Sequence, residues 1–215
     1  MVQALSSTQV ALYAVGFAVL AYLVGGVPFA LLIGKWVKGI DLRTIGSGNL
    51  GATNVARNLG GTWAVIVFFL DMAKGALPVL LAVLLTPPAN RDLVGFAAAL
   101  GVILGHVYSP YIGFKGGKGI AVSAGIGAVL NPWSLLVCGL IFFALAISTR
   151  RVSVGSLAIG LSYPVTVLIF YPGRPLNFVF ALAVGGFIWW SHRANIGRIA
   201  RGEEPKVSWG IFKND

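Results

Sequence analysis

Seven apolar stretches dominate this chain, near residues 9–34, 62–85, 93–111, 119–131, 132–149, 152–171 and 176–191. A helix needs about 17–25 apolar residues to cross a hydrocarbon core of roughly 30 Å. In lipid every backbone N–H and C=O has to be satisfied internally, so such stretches fold as helices. The expectation is an all-α, polytopic integral membrane bundle of seven transmembrane helices, built as a single domain over residues 1–215. Only 10% of the residues are charged and the mean hydropathy is +0.87, which excludes an ordinary soluble globular class. The 119–131 stretch is short and Gly-rich, and is expected to be tilted, broken or shielded by protein.

Seven spans put the termini on opposite sides. Of the 16 Lys and Arg, all but Lys74, Arg91 and Arg174 then share one side with the C-terminus. By the positive-inside rule that side is the cytosol, and the N-terminus is outside. The opening MVQALSSTQVALYAVG has no basic n-region and leads into an apolar run too long for a cleaved signal, so it reads as a retained first span. The net charge of +10 is dispersed over loops of one face, which suits anionic headgroups and acidic substrates and disfavours nucleic acid. Cys138 stands alone and no H-E-x-x-H or His/Asp cluster occurs, so neither a disulfide framework nor a metal or other cofactor is expected.

The polar residues gather in three segments, GSGNLGATNVAR (46–57), GHVYSPYIGFKGGKG (105–119) and HRANIGRIARGEE (192–204). Gly, Ser, Asn, Lys and Arg with few carboxylates are what a phosphate needs, so the three read as one anion-handling site at a membrane surface. The first formally matches G-x-G-x-x-G, but it joins two spans and lacks the strand and crossover helix of a dinucleotide site. Its physical content remains: glycines for close backbone approach, and successive amides with Ser47, Asn49, Thr53 and Asn54 as donors. An ordinary turn explains that string equally well. The second segment fails the Walker pattern at Ile112 and Gly119, leaving a simpler cradle of Lys118 with the Gly116 and Gly117 amides. In the third, spacings of three place His192, Asn195 and Arg198 on one helix face beyond the interfacial pair Trp189–Trp190.

Asp71 and Lys74 lie at i and i+3 near the middle of the second span, where an isolated charge is costly and a paired one faces the bundle interior. A structural ion pair is at least as good a reading as a functional one. His106 ends the third span at headgroup level, where orienting the 113–119 loop is favoured over acting on substrate. The acyltransferase signature H-x-x-x-x-D fails at both histidines, since Tyr111 and Gly197 stand where the Asp belongs, and no G-x-S-x-G elbow is present. Chemistry without a strong protein general base points to an already activated substrate.

Together, in this order and spacing, the three segments resemble the PlsY family, the integral-membrane glycerol-3-phosphate acyltransferases that use acyl phosphate. The resemblance spans nearly the whole chain. It implies transfer of a fatty acyl group from acyl phosphate to the 1-hydroxyl of sn-glycerol 3-phosphate, giving lysophosphatidic acid and phosphate, in the inner membrane of a bacterium with the active site facing the cytosol. It also implies functional coupling to the enzyme that makes acyl phosphate. Carried over by motif position, it points to Ser47, Asn49 and Arg57, to Lys118, and to His192 and Asn195, with Arg193 and Arg198 as companions. Gly48, Thr53, Asn54, Gly116 and Gly117 complete the expected substrate contacts, and the acyl chain is expected in a groove permitted by Ala124, Gly125 and Gly127. A phosphate or organophosphate transporter is the rival reading, although such proteins usually hold their site near the bilayer midplane, often with repeat symmetry.

Overall fold

The computed structural model describes residues 5–207, all of whose regular structure is helical. Ten α-helices follow in order: α1 Ser7–Gly26, α2 Phe29–Lys38, α3 Ala52–Leu59, α4 Gly61–Leu85, α5 Arg91–Val107, α6 Ile120–Leu130, α7 Pro132–Thr149, α8 Val152–Phe170, α9 Pro175–Ser191 and α10 Arg193–Ala200. The chain divides into two compact units, Met1–Leu130 and Asn131–Asp215. Lys213, grouped above with the cytosolic cations, lies outside the described residues.

Each of the seven apolar stretches is helix. Five helical runs are long and apolar enough to cross a membrane, Ser7–Lys38, Gly61–Leu85, Pro88–Ile112, Pro132–Thr149 and Val152–Phe170, while α6 and α9 are shorter apolar helices of 11 and 17 residues. The first run is not one continuous helix. Pro28 has no N–H and its ring crowds the carbonyl four residues back, so the chain breaks between α1 and α2 at Val27 and Pro28.

In the first unit α1 packs along α5, and α4 is the hub that touches α1, α3, α5 and α6. Lipid tails are as apolar as leucine, so helices associate through close packing and polar contacts rather than through the hydrophobic effect. Glycine supplies the closeness. Gly101 and Gly105 of α5 lie against the α1 backbone at Ala18 and Tyr22, and Gly25 of α1 lies against Val102; Gly75 of α4 meets Val122, and Gly125 of α6 meets the Met72 carbonyl. The groove expected at Ala124, Gly125 and Gly127 is therefore absent at its centre. Both glycines are buried, and Gly125 admits α4 and not an acyl chain.

In the second unit α8 packs against both α7 and α9. Buried amides join their ends: Asn131 Nδ2 donates to Tyr163 Oη at 2.9 Å, and Asn177 Nδ2 donates to Asn131 Oδ1 at 3.1 Å. One residue from the start of α7, one from α8 and one from α9 are thus tied in a chain of hydrogen bonds.

The α4–α6 contact gives a direct test. Gly125→Val drives two methyl groups into the Met72 carbonyl and should cost about 1–3 kcal/mol, read as a lower thermal midpoint in detergent. Gly16→Ala, on α1 where nothing lies within 4 Å, should leave the midpoint unchanged or slightly raised.

Candidate functional site

The first polar segment is a loop that satisfies itself. Leu42 and Leu50 are buried in a core with Ala30, Leu31 and Ile33 of α2, Val55 and Leu59 of α3, and Val67 of α4. A loop pinned at both ends into an apolar core must find partners for its backbone groups, and Asn54 provides them. Its Nδ2 donates to Leu42 O at 3.0 Å and Ile45 O at 3.2 Å, and its Oδ1 accepts the Ser47 amide at 3.0 Å and Asn58 Nδ2 at 3.2 Å. Gly46 and Gly48 have φ of 60° and 65°, the left-handed conformation that a side chain disfavours. The Gly48 amide donates to Ile45 O at 3.1 Å.

The expected row of outward amides is therefore not what Ser47 and Gly48 present, since both turn inward, and the Asn54 side chain is buried and fully engaged. What the loop leaves for a ligand is the exposed Ser47 hydroxyl, the Asn49 and Thr53 side chains, and the exposed guanidinium of Arg57 on α3. Arg43 is committed elsewhere, with Nη2 2.6 Å from Asp41 Oδ2 and Nε 3.0 Å from Oδ1. That forked hydrogen bond holds the Asp41 carboxyl down at about 2.

The second segment folds back on the helix it leaves. After α5 the chain makes a short 3₁₀ turn at Pro110–Ile112, and the Gly117 amide then donates to His106 O at 3.1 Å. The His106 imidazole Nε2 occupies the space that a side chain on Gly117 would need. His106 is buried, with Nδ1 3.9 Å from Asp71 Oδ1 at the middle of α4. The expected pair exists: Lys74 Nζ is 2.8 Å from Asp71 Oδ1. Of the two glycine amides expected to cradle an anion, Gly117 is engaged and Gly116 is left, beside the half-buried Lys118.

The third segment lies in the other unit. His192, between α9 and α10, is buried, and its Nδ1 lies 2.8 Å from Ile188 O and 3.1 Å from Ser191 Oγ. A carbonyl only accepts, so Nδ1 carries a proton. Asn195 and Arg198 meet on one residue: Glu204 Oε1 accepts from Asn195 Nδ2 at 2.6 Å, and Oε2 from Arg198 Nε at 2.7 Å. The Glu204 carbonyl accepts from Arg151 Nε at 3.2 Å, and Val207 N donates to Arg150 O at 2.8 Å, so the tail is strapped to the α7–α8 turn. Arg193 stacks on Trp190, its guanidinium carbon 4.4 Å from the ring centre.

The profile of the glycerol-3-phosphate acyltransferase family matches residues 15–202. The chain belongs to that family. Glycerol-3-phosphate acyltransferases from Anaeromyxobacter sp. (strain K) and Lactiplantibacillus plantarum are 43% and 42% identical to it, over 86% and 90% of this chain and 93% and 91% of theirs. Two crystal structures of PlsY, an integral membrane glycerol 3-phosphate acyltransferase, superpose with TM-scores of 0.84 and 0.80 at 36% and 35% identity, covering 93% of this chain and 99% of those. The acyltransferase is accordingly an all-helical, multi-pass integral membrane enzyme.

Sequence reasoning on this acyltransferase missed Glu204. It stands six residues from Arg198 and nine from Asn195, spacings that match no helical face, and only the turn after α10 closes the contact. Burial disfavours the charged carboxylate, but the hydrogen bonds from Asn195 and Arg198 outweigh it, and the Glu204 pKa is lowered. A lowered carboxylate contributes stability that is present above its unfolded value of about 4.3 and lost as the pH falls through the folded one. Glu204→Gln should thus lower the thermal midpoint at pH 7, and the gap to the wild type should shrink as the pH drops below about 4. A gap that stays constant with pH would show that the charge is not what holds the strap.

Proposed function

We propose that this acyltransferase takes its acyl group from acyl phosphate and delivers it to the 1-hydroxyl of sn-glycerol 3-phosphate, releasing lysophosphatidic acid and inorganic phosphate. One observation carries the reading: relatives 36% and 35% identical over nearly the whole chain were captured as glycerol 3-phosphate and lysophosphatidic acid forms, the acceptor and the product of one transfer. The acyl-phosphate donor is what the resemblance of the three polar segments to the PlsY family implies, and the lack of an evident protein base in those segments agrees with an activated donor.

In the proposed chemistry the acceptor's 1-hydroxyl oxygen attacks the acyl carbonyl carbon, the bond from that carbon to the phosphate oxygen breaks, and the departing phosphate takes the hydroxyl proton. Catalysis then rests on positioning and on stabilising charge as it develops. Arg57 and Lys118 neutralise the two phosphates. Ser47 donates its hydroxyl to the acyl phosphate, with Asn49, Thr53, Gly48 and the Gly116 amide around it. Asn54 and Gly117 serve from inside their loops, holding the backbone that presents these groups. His192 and Asn195 orient the glycerol phosphate, Asn195 being held by Glu204, and Arg193 and Arg198 add positive potential. No cofactor enters the scheme.

The topology completes the proposal. The five long helices with α6 and α9 make seven spans of one domain, the N-terminus outside and the C-terminus cytosolic, in a bacterial inner membrane with the site on the cytosolic side. The enzyme that makes acyl phosphate is its functional partner.

The first test is phosphate release by the purified protein given palmitoyl phosphate, with and without glycerol 3-phosphate, against palmitoyl-CoA as competing donor. Acceptor-dependent release with formation of lysophosphatidate is expected. Release without lysophosphatidate would overturn the reading, and uptake of glycerol 3-phosphate into proteoliposomes without a donor would replace it with transport. Lys118→Ala should reduce turnover by about 100-fold or more in folded, membrane-inserted protein. Ser47 is a donor in this scheme, so mass spectrometry after a donor-only incubation should find no acyl group on it, and a stable acyl-serine would make it a nucleophile.

A further inference from the structure

Within the apolar helices of the first unit, Asp71, Lys74 and His106 are 2%, 4% and 7% exposed, and the proposed chemistry gives none of them a part. A buried ion pair is expensive, and replacing it by apolar side chains is often neutral or stabilising. Its contacts show what else it does here.

Lys74 Nζ, 2.8 Å from Asp71 Oδ1, also donates to Val27 O at 2.6 Å, and it lies 5.5 Å from the centre of the Phe29 ring. Val27 is where Pro28 interrupts the helix. The neighbouring carbonyl, Gly26 O, accepts from Ser109 Oγ at 2.6 Å, so the second polar segment reaches the same break from the other side. On its other flank Asp71 faces His106, whose carbonyl holds the Gly117 amide and whose ring fills the space beneath Gly117. Gly116 rests just as closely on the His106 carbonyl. Between these groups is a cavity of about 10 Å³, lined also by Leu50 of the first polar segment and by Gly116 and Gly117. That volume suits one water and is far too small for a phosphate. The three buried side chains lie beneath the turn, placed to act through it.

We propose that Asp71, Lys74 and His106 are positioning residues for acyl transfer, fixing the Gly116-Gly117-Lys118 turn against the α1–α2 break and thereby setting the geometry of the phosphate subsite. The inference rests on reading that turn as a phosphate cradle. Lys74 sets one wall through Val27, His106 sets the floor through two contacts with Gly117, and Asp71 joins the two.

Single neutralisation of either charge strands the other in the interior and endangers folding, so the informative variant is Asp71→Asn combined with Lys74→Met. In the full-length protein it should remain folded, with KM for palmitoyl phosphate or for glycerol 3-phosphate, whichever phosphate the turn holds, raised about tenfold or more. Hydrogen–deuterium exchange over residues 113–119 should accelerate while the rest of the first unit keeps its protection. A second pair of variants probes the floor. Gly117→Ala should be severely impaired, because its methyl group meets the imidazole, and adding His106→Ala should restore part of the lost activity. Unchanged KM values with unchanged exchange at 113–119, or no rescue in the double variant, would overturn the proposal. Wild-type protein inactive with palmitoyl phosphate would defeat the assigned reaction alone, and the exchange comparison would still decide whether the cluster fixes the turn.

Discussion

A carbonyl left without a donor inside hydrocarbon costs several kcal/mol, and the interruption at Val27 and Pro28 takes Gly26 O and Val27 O out of the regular helical ladder, with only the Phe29 amide reaching Val27 O along the chain, at 3.2 Å. The first unit is arranged around meeting that demand. Ser109 covers Gly26 O and Lys74 covers Val27 O, so the chain must bring a loop residue and a buried cation to the same place. The cation requires Asp71, and Asp71 brings α4 beside the end of α5. Glycines at 75, 101, 105 and 125 then let the helices come close enough for these contacts to form. A break in one helix thus dictates which side chains the neighbouring helices carry.

Both polar loops of that unit follow one design, in which backbone groups are satisfied from within and a few side chains are left over. Asn54 engages four partners in its own loop, and the Gly117 amide is held by His106. Loops fixed before a ligand arrives lose little conformational freedom on binding, and preset dipoles need no reorganisation when charge develops. In the second unit Glu204 does the same for Asn195 and Arg198. The groups that hold and the groups that act are different residues.

That division explains what the sequence made legible. Helix positions were readable because apolar length is a direct physical requirement of the bilayer, and all seven stretches are helical. The interruption of the first stretch was also readable in principle, from Pro28. The polar segments stood out by composition, and their co-occurrence identified the family. Less legible was which way each polar group faces. Asn54 and Ser47 are seven residues apart in one string of small polar residues, and only the burial of Leu42 and Leu50 makes one of them a brace and leaves the other exposed. That the His106 ring is buried against Asp71 was not legible, because the distance from α5 to the centre of α4 depends on tertiary packing. The groove assigned to Gly125 failed for a related reason: small residues permit close approach without saying by what.

The contact between Gly75 and Val122 has a consequence for where an amphiphile would meet this protein. Residue 122 lies one turn into α6, yet it touches α4 near its midpoint. Val122 therefore meets α4 about 21 Å along from its first residue, at a rise of 1.5 Å per residue, and the Gly116-Gly117-Lys118 turn leads directly into that buried contact. A long-chain acyl phosphate held above the bilayer would have to lift its methylenes out of lipid at about 0.8 kcal/mol each. With that turn as the proposed phosphate site, the phosphate would descend to the cation and the acyl tail would keep its methylenes in lipid.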